Sequence, residues 1–216
     1  VIMNGARIGN NCKIFPGAII SAESQDLKYN GEYAITEIGD NTTIREYVTI
    51  HKGTLDKKTT KVGSNCLLMS YVHVAHDCTI GDNVVIANLV QLAGHVMIGD
   101  WVIIEGTAAI QQFVSVGQHA FIAGGSLVRK NVPPYVKAAR EPLSYIGVNT
   151  IGLRRRGFND QQIINIEDIY RVIYVQNSNM TTAIRVADLE IPISEEKEVI
   201  LEFIRNSTKG IMRGLS

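Results

Sequence analysis

Cut every six positions, residues 62–128 read VGSNCL LMSYVH VAHDCT IGDNVV IANLVQ LAGHVM IGDWVI IEGTAA IQQFVS VGQHAF IAGGSL V. Every block opens on an aliphatic residue, from Val62 through Ile80, Ile98 and Val116 to Val128. A helix repeats near 3.6 residues and a half-buried strand at 2, so neither holds a period of six over this length. A solenoid with three flat faces does. Each hexad is a short strand plus a corner, three hexads close a coil, and the aliphatic residue points inward onto its equivalents above and below. The stretch therefore predicts a parallel β-helix of hexapeptide repeats.

Working outward, the same phase is kept by Ile2, Ile8, Ile14 and Ile20, and again by Ile38, Ile44 and Ile50. Blocks such as TEIGDN and CTIGDN place Gly, Asp and Asn at corners, where a positive φ is expected. Two polar segments, 21–37 and 51–61, interrupt the pattern and read as loops inserted at corners, where long loops are often functional. Pro133 and Pro134 are expected to end the solenoid, since proline cannot continue a ladder. From about Asn149 the period turns helical. Ile163, Ile166, Ile169, Tyr170 and Ile173 share a helix face that Asn159 is placed to cap. A weaker helix covers 181–189, and a last one starts at Ser194 and stops near Gly210. The division expected is a β-helix over 1–139 and a helical domain over 140–216. Val1 opens inside a repeat without Met, so further coils are expected before it.

Lys plus Arg and Asp plus Glu balance at 21 each, which leaves no global field for nucleic acid or membrane. Nor does any aromatic interleaving suggest a nucleic-acid groove. No apolar run approaches the ~18 residues of a membrane span, and no signal peptide is seen. Cys12, Cys66 and Cys78 lack metal spacing and cannot all pair, which suits a reduced, cytoplasmic protein. The charge is uneven locally: between positions 129 and 156, seven basic residues (Arg129, Lys130, Lys137, Arg140, Arg154, Arg155, Arg156) face one acid, Glu141. Such a strip suits an acidic protein or a nucleotide diphosphate.

With about 18 residues per coil, Asp77 stacks on His95, His76 on Gly94, Gly94 on Gln112, and His73 on Gln91, at roughly the ~4.8 Å strand spacing. HVAHD and QLAGH thus build one patch. Aspartate beside histidine fixes a tautomer and supports the imidazolium that forms when the ring takes a proton. A backbone N–H at Gly94 can meet an oxyanion. With no Ser or Cys nucleophile in the patch, direct acyl transfer to a bound hydroxyl fits better than a covalent acyl-enzyme. The rival reading is zinc held by His73, His76 and His95. A scaffold without catalysis is the third.

The segments QDLKYNGE (25–32), IREYVTIHKGT (44–54), HVAHDCTIG (73–81), LAGH (92–95), QQF (111–113), NVPPY (131–135), GVNTIGLRRRGF (147–158) and NSTKGIMR (206–213) strongly resemble the UDP-N-acetylglucosamine 3-O-acyltransferases. These enzymes open lipid A biosynthesis. The resemblance covers nearly the whole chain. It implies a mainly β fold, a left-handed parallel β-helix with a C-terminal α-helical domain, assembled as a homotrimer with active sites between subunits. It implies transfer of a 3-hydroxyacyl chain from acyl carrier protein to the glucosamine 3-hydroxyl of UDP-N-acetylglucosamine. The carrier protein is a co-substrate, with no cofactor and no metal, and it is the acidic partner for the basic strip. His76 matches the family's general base, Asp77 its orienting partner and Gly94 the oxyanion donor. Asp26, Lys28, His73, His95, Gln112, Asn149, Arg155 and Arg156 match positions lining the substrate cleft, and Gly124 a position near the end of the acyl groove. Two residues depart from the family pattern: Gln111 stands in place of histidine and Ile151 in place of glutamate. A related hexapeptide enzyme that N-acylates an amino sugar nucleotide stays open, as does a zinc carbonic anhydrase.

Overall fold

The computed structural model describes residues 1–177 and 179–214; positions 178, 215 and 216 of the expected helical domain lie outside the described residues. The chain winds into a left-handed parallel β-helix, followed by short helices. Three parallel sheets form its sides. Face A contains Thr49–His51, His73–Val74, Gln91–Leu92 and Ala109–Ile110; face B contains Thr59–Val62, Thr79–Ile80, Met97–Ile98 and Ser115–Val116; face C contains Leu67–Leu68, Val85–Ile86, Ile103–Ile104 and Phe121–Ile122. On face B the register runs Lys61↔Thr79↔Met97↔Ser115, a shift of 18 residues per coil.

The inward ladder is dry: Ile20, Ile44, Ile50, Leu68, Ile86, Leu92, Ile104 and Ile122 have no exposed surface. Burying each such side chain is worth about 1.5–3 kcal/mol, and the gain repeats coil by coil because every coil contacts only its neighbours. Cys66 and Cys78 are buried among these aliphatics as free thiols, and Cys12 is free as well.

The corners differ in detail from the sequence reading. Positive φ falls three residues after each inward aliphatic, so in GDN it is Asn83 that takes it, not the glycine or the aspartate. The series continues at Tyr71, Asp77, Leu89, His95, Trp101, Phe113 and His119. Side chains at equivalent corners therefore stack into columns. Tyr47 lies on Tyr71 with ring centroids 5.1 Å apart, and His95 on Phe113 at 4.6 Å.

Both inserted loops leave the coil at the A-to-B corner. Their free spans are narrower than expected, 23–34 and 52–58, because residues on either side belong to strands Ile19–Ala22, Ile35–Ile38, Thr49–His51 and Thr59–Val62. Ile8 pairs with Ile38 and Ile38 with Val62, steps of 30 and 24 residues. The insertions thus add whole hexads, which is why the aliphatic phase survives them.

The prolines do not end the solenoid. Val136–Ala139 still pairs in parallel with Phe121–Ile122, and Ser144–Val148 then turns back antiparallel to it. Position 139/140 thus falls between two hydrogen-bonded strands. Among the described residues four α-helices follow: α1 (Thr150–Arg155), α2 (Asp160–Arg171), α3 (Met180–Glu190) and α4 (Glu195–Arg205). Asn159 caps α2 through a reciprocal box with Gln162, and Ser194 caps α4. Ile173 lies in the π-helical turn Val172–Gln176 beyond α2, and α4 ends at Arg205, short of Gly210. The closing segment returns to the coil, where Ile211 bridges Asn131 and Arg213 bridges Ser144. Among the described residues no helix is long and apolar enough to cross a membrane.

Candidate active site

His76, Asp77, Gly94, His95 and Gln112 all lie on the A-to-B corner in three successive coils, as the 18-residue stacking requires. Asp77 has no exposed surface and His76 is buried. The Asp77 carboxylate accepts from His76 Nδ1 (2.9 Å), Thr54 Oγ1 (2.6 Å), the Thr54 N–H (2.9 Å) and the Lys57 N–H (3.3 Å). Burial alone would raise this carboxyl; the donors from Thr54 and His76 outweigh it and hold it below its ordinary value. An ionised carboxylate only accepts, so His76 carries its proton on Nδ1 and offers the Nε2 lone pair.

What Nε2 faces defines the cleft. Asp26 Oδ2 lies 3.9 Å from it, presented by the 23–34 loop. On the other side is Gly94, where a Cβ would come within 2.5 Å of Nε2 and Cε1. No described residue accepts a hydrogen bond from the Gly94 N–H. Nε2 of His76 thus has the Asp26 carboxylate on one side and the backbone of Gly94 on the other.

Two other histidines flank the base, and burial shifts both toward the neutral form. His73 meets Thr49 Oγ1 at 2.8 Å and is pushed down to about 4, by burial first and then by His51 and His76. His95 stands edge-on to His76 with centroids 5.2 Å apart. Its Nδ1 lies 3.3 Å from Asp56 Oδ2 and its Nε2 lies 3.6 Å from Asp77 Oδ2. Burial lowers it, against the pull of Asp77.

The trio expected of a zinc site is not the cluster that forms. His76, Asp77 and His95 bring their ligand atoms within 4.8 Å of one another, while His73 turns to Thr49. In that cluster Asp77 is already saturated by hydrogen-bond donors, and His76 directs its proton, not a lone pair, at it. This donor set fits an orienting hydrogen bond better than a metal. Cys78, next to Asp77, faces the core; burial pushes its thiol up to about 12, far from a nucleophile.

The remaining expected residues make no hydrogen bond to His76 or Asp77. Lys28 is exposed on the 23–34 loop, where its N–H donates to Asp26 Oδ1 (2.9 Å). Asn149 and Arg156 sit at the B-to-C corner, where both meet His119, one full face away from His76. Asn149 is buried, caps α1 and donates to the His119 carbonyl (3.0 Å). Arg156 lies over Trp101 at 5.4 Å and donates to His119 Nδ1 (3.3 Å). Arg155 and Ile151 are exposed on α1. Gly124 is exposed at the third corner, C to A, its N–H donating to Glu105 Oε2 (3.1 Å). Gln111 is exposed beside Gln112. The basic strip is partly neutralised, since Arg129 pairs with Glu141 at 2.7 Å and Arg154 with Asp160 at 3.1 Å.

Thr54, Asp56 and Lys57 escaped the sequence reading. The available signal was the loop's position: an insertion at the corner that carries the histidines must stand against them.

Comparison with known proteins addresses the family. Residues 59–94 match the bacterial transferase hexapeptide family, and residues 131–212 match the family described as Udp N-acetylglucosamine O-acyltransferase, domain 2. Curated acyl-[acyl-carrier-protein]–UDP-N-acetylglucosamine O-acyltransferases are similar to the chain throughout. The Aquifex aeolicus protein is 57% identical over 93% of this chain and 77% of its own, and the Psychromonas ingrahamii protein 53% over 99% and 82%. Among solved structures, the UDP-N-acetylglucosamine acyltransferase of Bacteroides fragilis superposes with a TM-score of 0.97 at 49% identity, covering 98% of this chain and 83% of that one. With hexapeptide coils and this identity along nearly its whole length, the chain belongs to the acyl-[acyl-carrier-protein]–UDP-N-acetylglucosamine O-acyltransferase family.

Proposed function

We infer that the chain transfers a 3-hydroxyacyl group from acyl carrier protein to the glucosamine 3-hydroxyl of UDP-N-acetylglucosamine, the first step of lipid A biosynthesis. The observation that carries the chemistry is the Asp77–His76 pair at 2.9 Å, with Nε2 set between Asp26 and the backbone of Gly94. The sugar hydroxyl gives its proton to His76 Nε2 as its oxygen attacks the thioester carbonyl. Asp77 supports the imidazolium, and the Gly94 N–H receives the carbonyl oxygen as it becomes an oxyanion. Collapse of the tetrahedral intermediate breaks the C–S bond, and the departing thiolate takes the proton back from His76. Acyl exchange between a thioester and an alcohol balances without redox change or a carbanion, so the reaction needs no cofactor and the proposal includes no metal.

The active unit of this proposal is a homotrimer. The coil, 1–139, supplies the base; the part from 140 onward supplies Asn149, Arg155 and Arg156 toward the nucleotide. These groups sit on different corners of one prism, and a closed ring of three copies sets the A-to-B corner of one against another corner of the next. The stacked column of Tyr47 and Tyr71, half-exposed with Leu89 on the C-to-A corner, is an apolar strip of the kind a second copy covers. Lys28, His73, His95 and Gln112 line the cleft beside the base, Gly124 borders the acyl groove, and the exposed arginines meet the acidic carrier protein. The place of action proposed is the cytoplasm, consistent with three free cysteines.

The reading is tested by incubating the protein with UDP-N-acetylglucosamine and 3-hydroxyacyl carrier proteins and following the sugar nucleotide by mass spectrometry. A gain of one hydroxyacyl group through an ester supports it. No product, or an amide from an amino sugar nucleotide alone, overturns it.

A further inference from the structure

We infer that Thr54 is a positioning residue for the His76–Asp77 base, an inference that rests on the base assignment made above. A carboxylate turns easily about its last torsion. Oδ2 of Asp77 has a histidine nitrogen on each side, His76 Nδ1 at 2.9 Å and His95 Nε2 at 3.6 Å. Orientation therefore decides which histidine the carboxylate serves. Thr54 sets it by gripping both oxygens, its N–H on Oδ1 at 2.9 Å and its hydroxyl on Oδ2 at 2.6 Å. The hydroxyl bond is short, as expected for a charged acceptor, and Thr54 is itself buried, so water does not substitute for it freely.

The backbone around Thr54 is built for this approach. A Cβ on Gly53 would run into the Thr59 N–H and stand 2.9 Å from Asp77 Oδ1, so only glycine lets the loop come so close. The same loop sends Asp56 to His95 Nδ1, and the Leu55 N–H donates to Glu32 Oε1 (3.1 Å) on the loop that carries Asp26. The 52–58 insertion thus braces Asp77 and His95 directly and ties to the loop that presents Asp26.

The test is steady-state kinetics on Thr54→Val, which keeps the shape without the hydroxyl, and Thr54→Ser, which keeps the hydroxyl. Both are measured in the natural and the His76→Ala backgrounds, with UDP-N-acetylglucosamine and a 3-hydroxyacyl carrier protein. Expected is a kcat lower by roughly 10–100-fold for Thr54→Val, the usual cost of losing an outer-shell hydrogen bond, with KM for both substrates unmoved. Thr54→Ser should return to within a few-fold of the natural rate. In the His76→Ala background Thr54→Val should cost nothing further. A natural kcat for Thr54→Val, a loss carried by KM, a slow Thr54→Ser beside a fast Thr54→Val, or an equal loss without His76 would each overturn the inference. Failure of the base assignment looks different: His76→Ala alone would then turn over at the natural rate.

Discussion

Gly94 lies against the His76 imidazole so closely that a methyl group on it would stand 2.5 Å from Nε2. The neighbour it would meet is a side chain, which is able to tilt, so Gly94→Ala should cost the fold little. The tilt would carry Nε2 away from the cleft and break the alignment with Asp77. Expected is a fall in kcat of roughly 10²-fold or more, in line with the cost of displacing a reacting group, with the melting temperature nearly unchanged. Normal turnover in that variant would remove Gly94 from the site.

The period of six made the coil readable because each hexad repeats one physical demand, an aliphatic group pointing inward. The stack of His76 on Gly94 and Asp77 on His95 was readable for the same reason, since coil length alone places residues 18 apart in contact. Thr54 was not readable, because a loop carries no period and its contact with Asp77 depends on how the insertion folds back. Val136–Ala139 was hidden by Pro133 and Pro134, which occupy the turn before a strand that resumes the ladder. The setting of Arg156 on Trp101 and His119 arises from docking of α1 on the coil, which no local pattern encodes.

Division of the site between copies is testable by mixing. His76→Ala and Arg156→Ala chains should each be poorly active alone. Co-expressed, they should form mixed copies of the proposed trimer, in which about a quarter of the sites combine an intact His76 with an intact Arg156 from the next copy. Recovery of activity well above either variant is expected from the mixture, measured after purification of the mixed trimer. No recovery from a sample shown to be mixed would place both residues in one chain's site.

Acid should weaken the fold through two histidines. His73 and His119 are both pushed down to about 4, His73 by burial and neighbouring His51 and His76, His119 by burial and the adjacent Arg156. In the unfolded chain they protonate near 6.5. Between about 6.5 and 4 the unfolded state therefore binds more protons, so stability is kept above that window and falls as pH drops through it, by at most about 1.4 kcal/mol per pH unit for each histidine. His119 is stacked on Tyr135 at 5.5 Å and near Trp101, a place where phenylalanine fits. His119→Phe should narrow the difference in melting temperature between pH 7.5 and pH 5. An unchanged difference would contradict this source of acid sensitivity.

The most direct measurement is the turnover number of His76→Ala beside the natural chain, with thermal melting and oligomer size recorded on the same samples. Loss of a general base costs roughly 10²–10⁴-fold in rate, and that drop in kcat, with melting and assembly unchanged, is the expected result. Ester product formed by His76→Ala at the natural rate would contradict the assignment of proton transfer to His76, and with it the role given to Asp77.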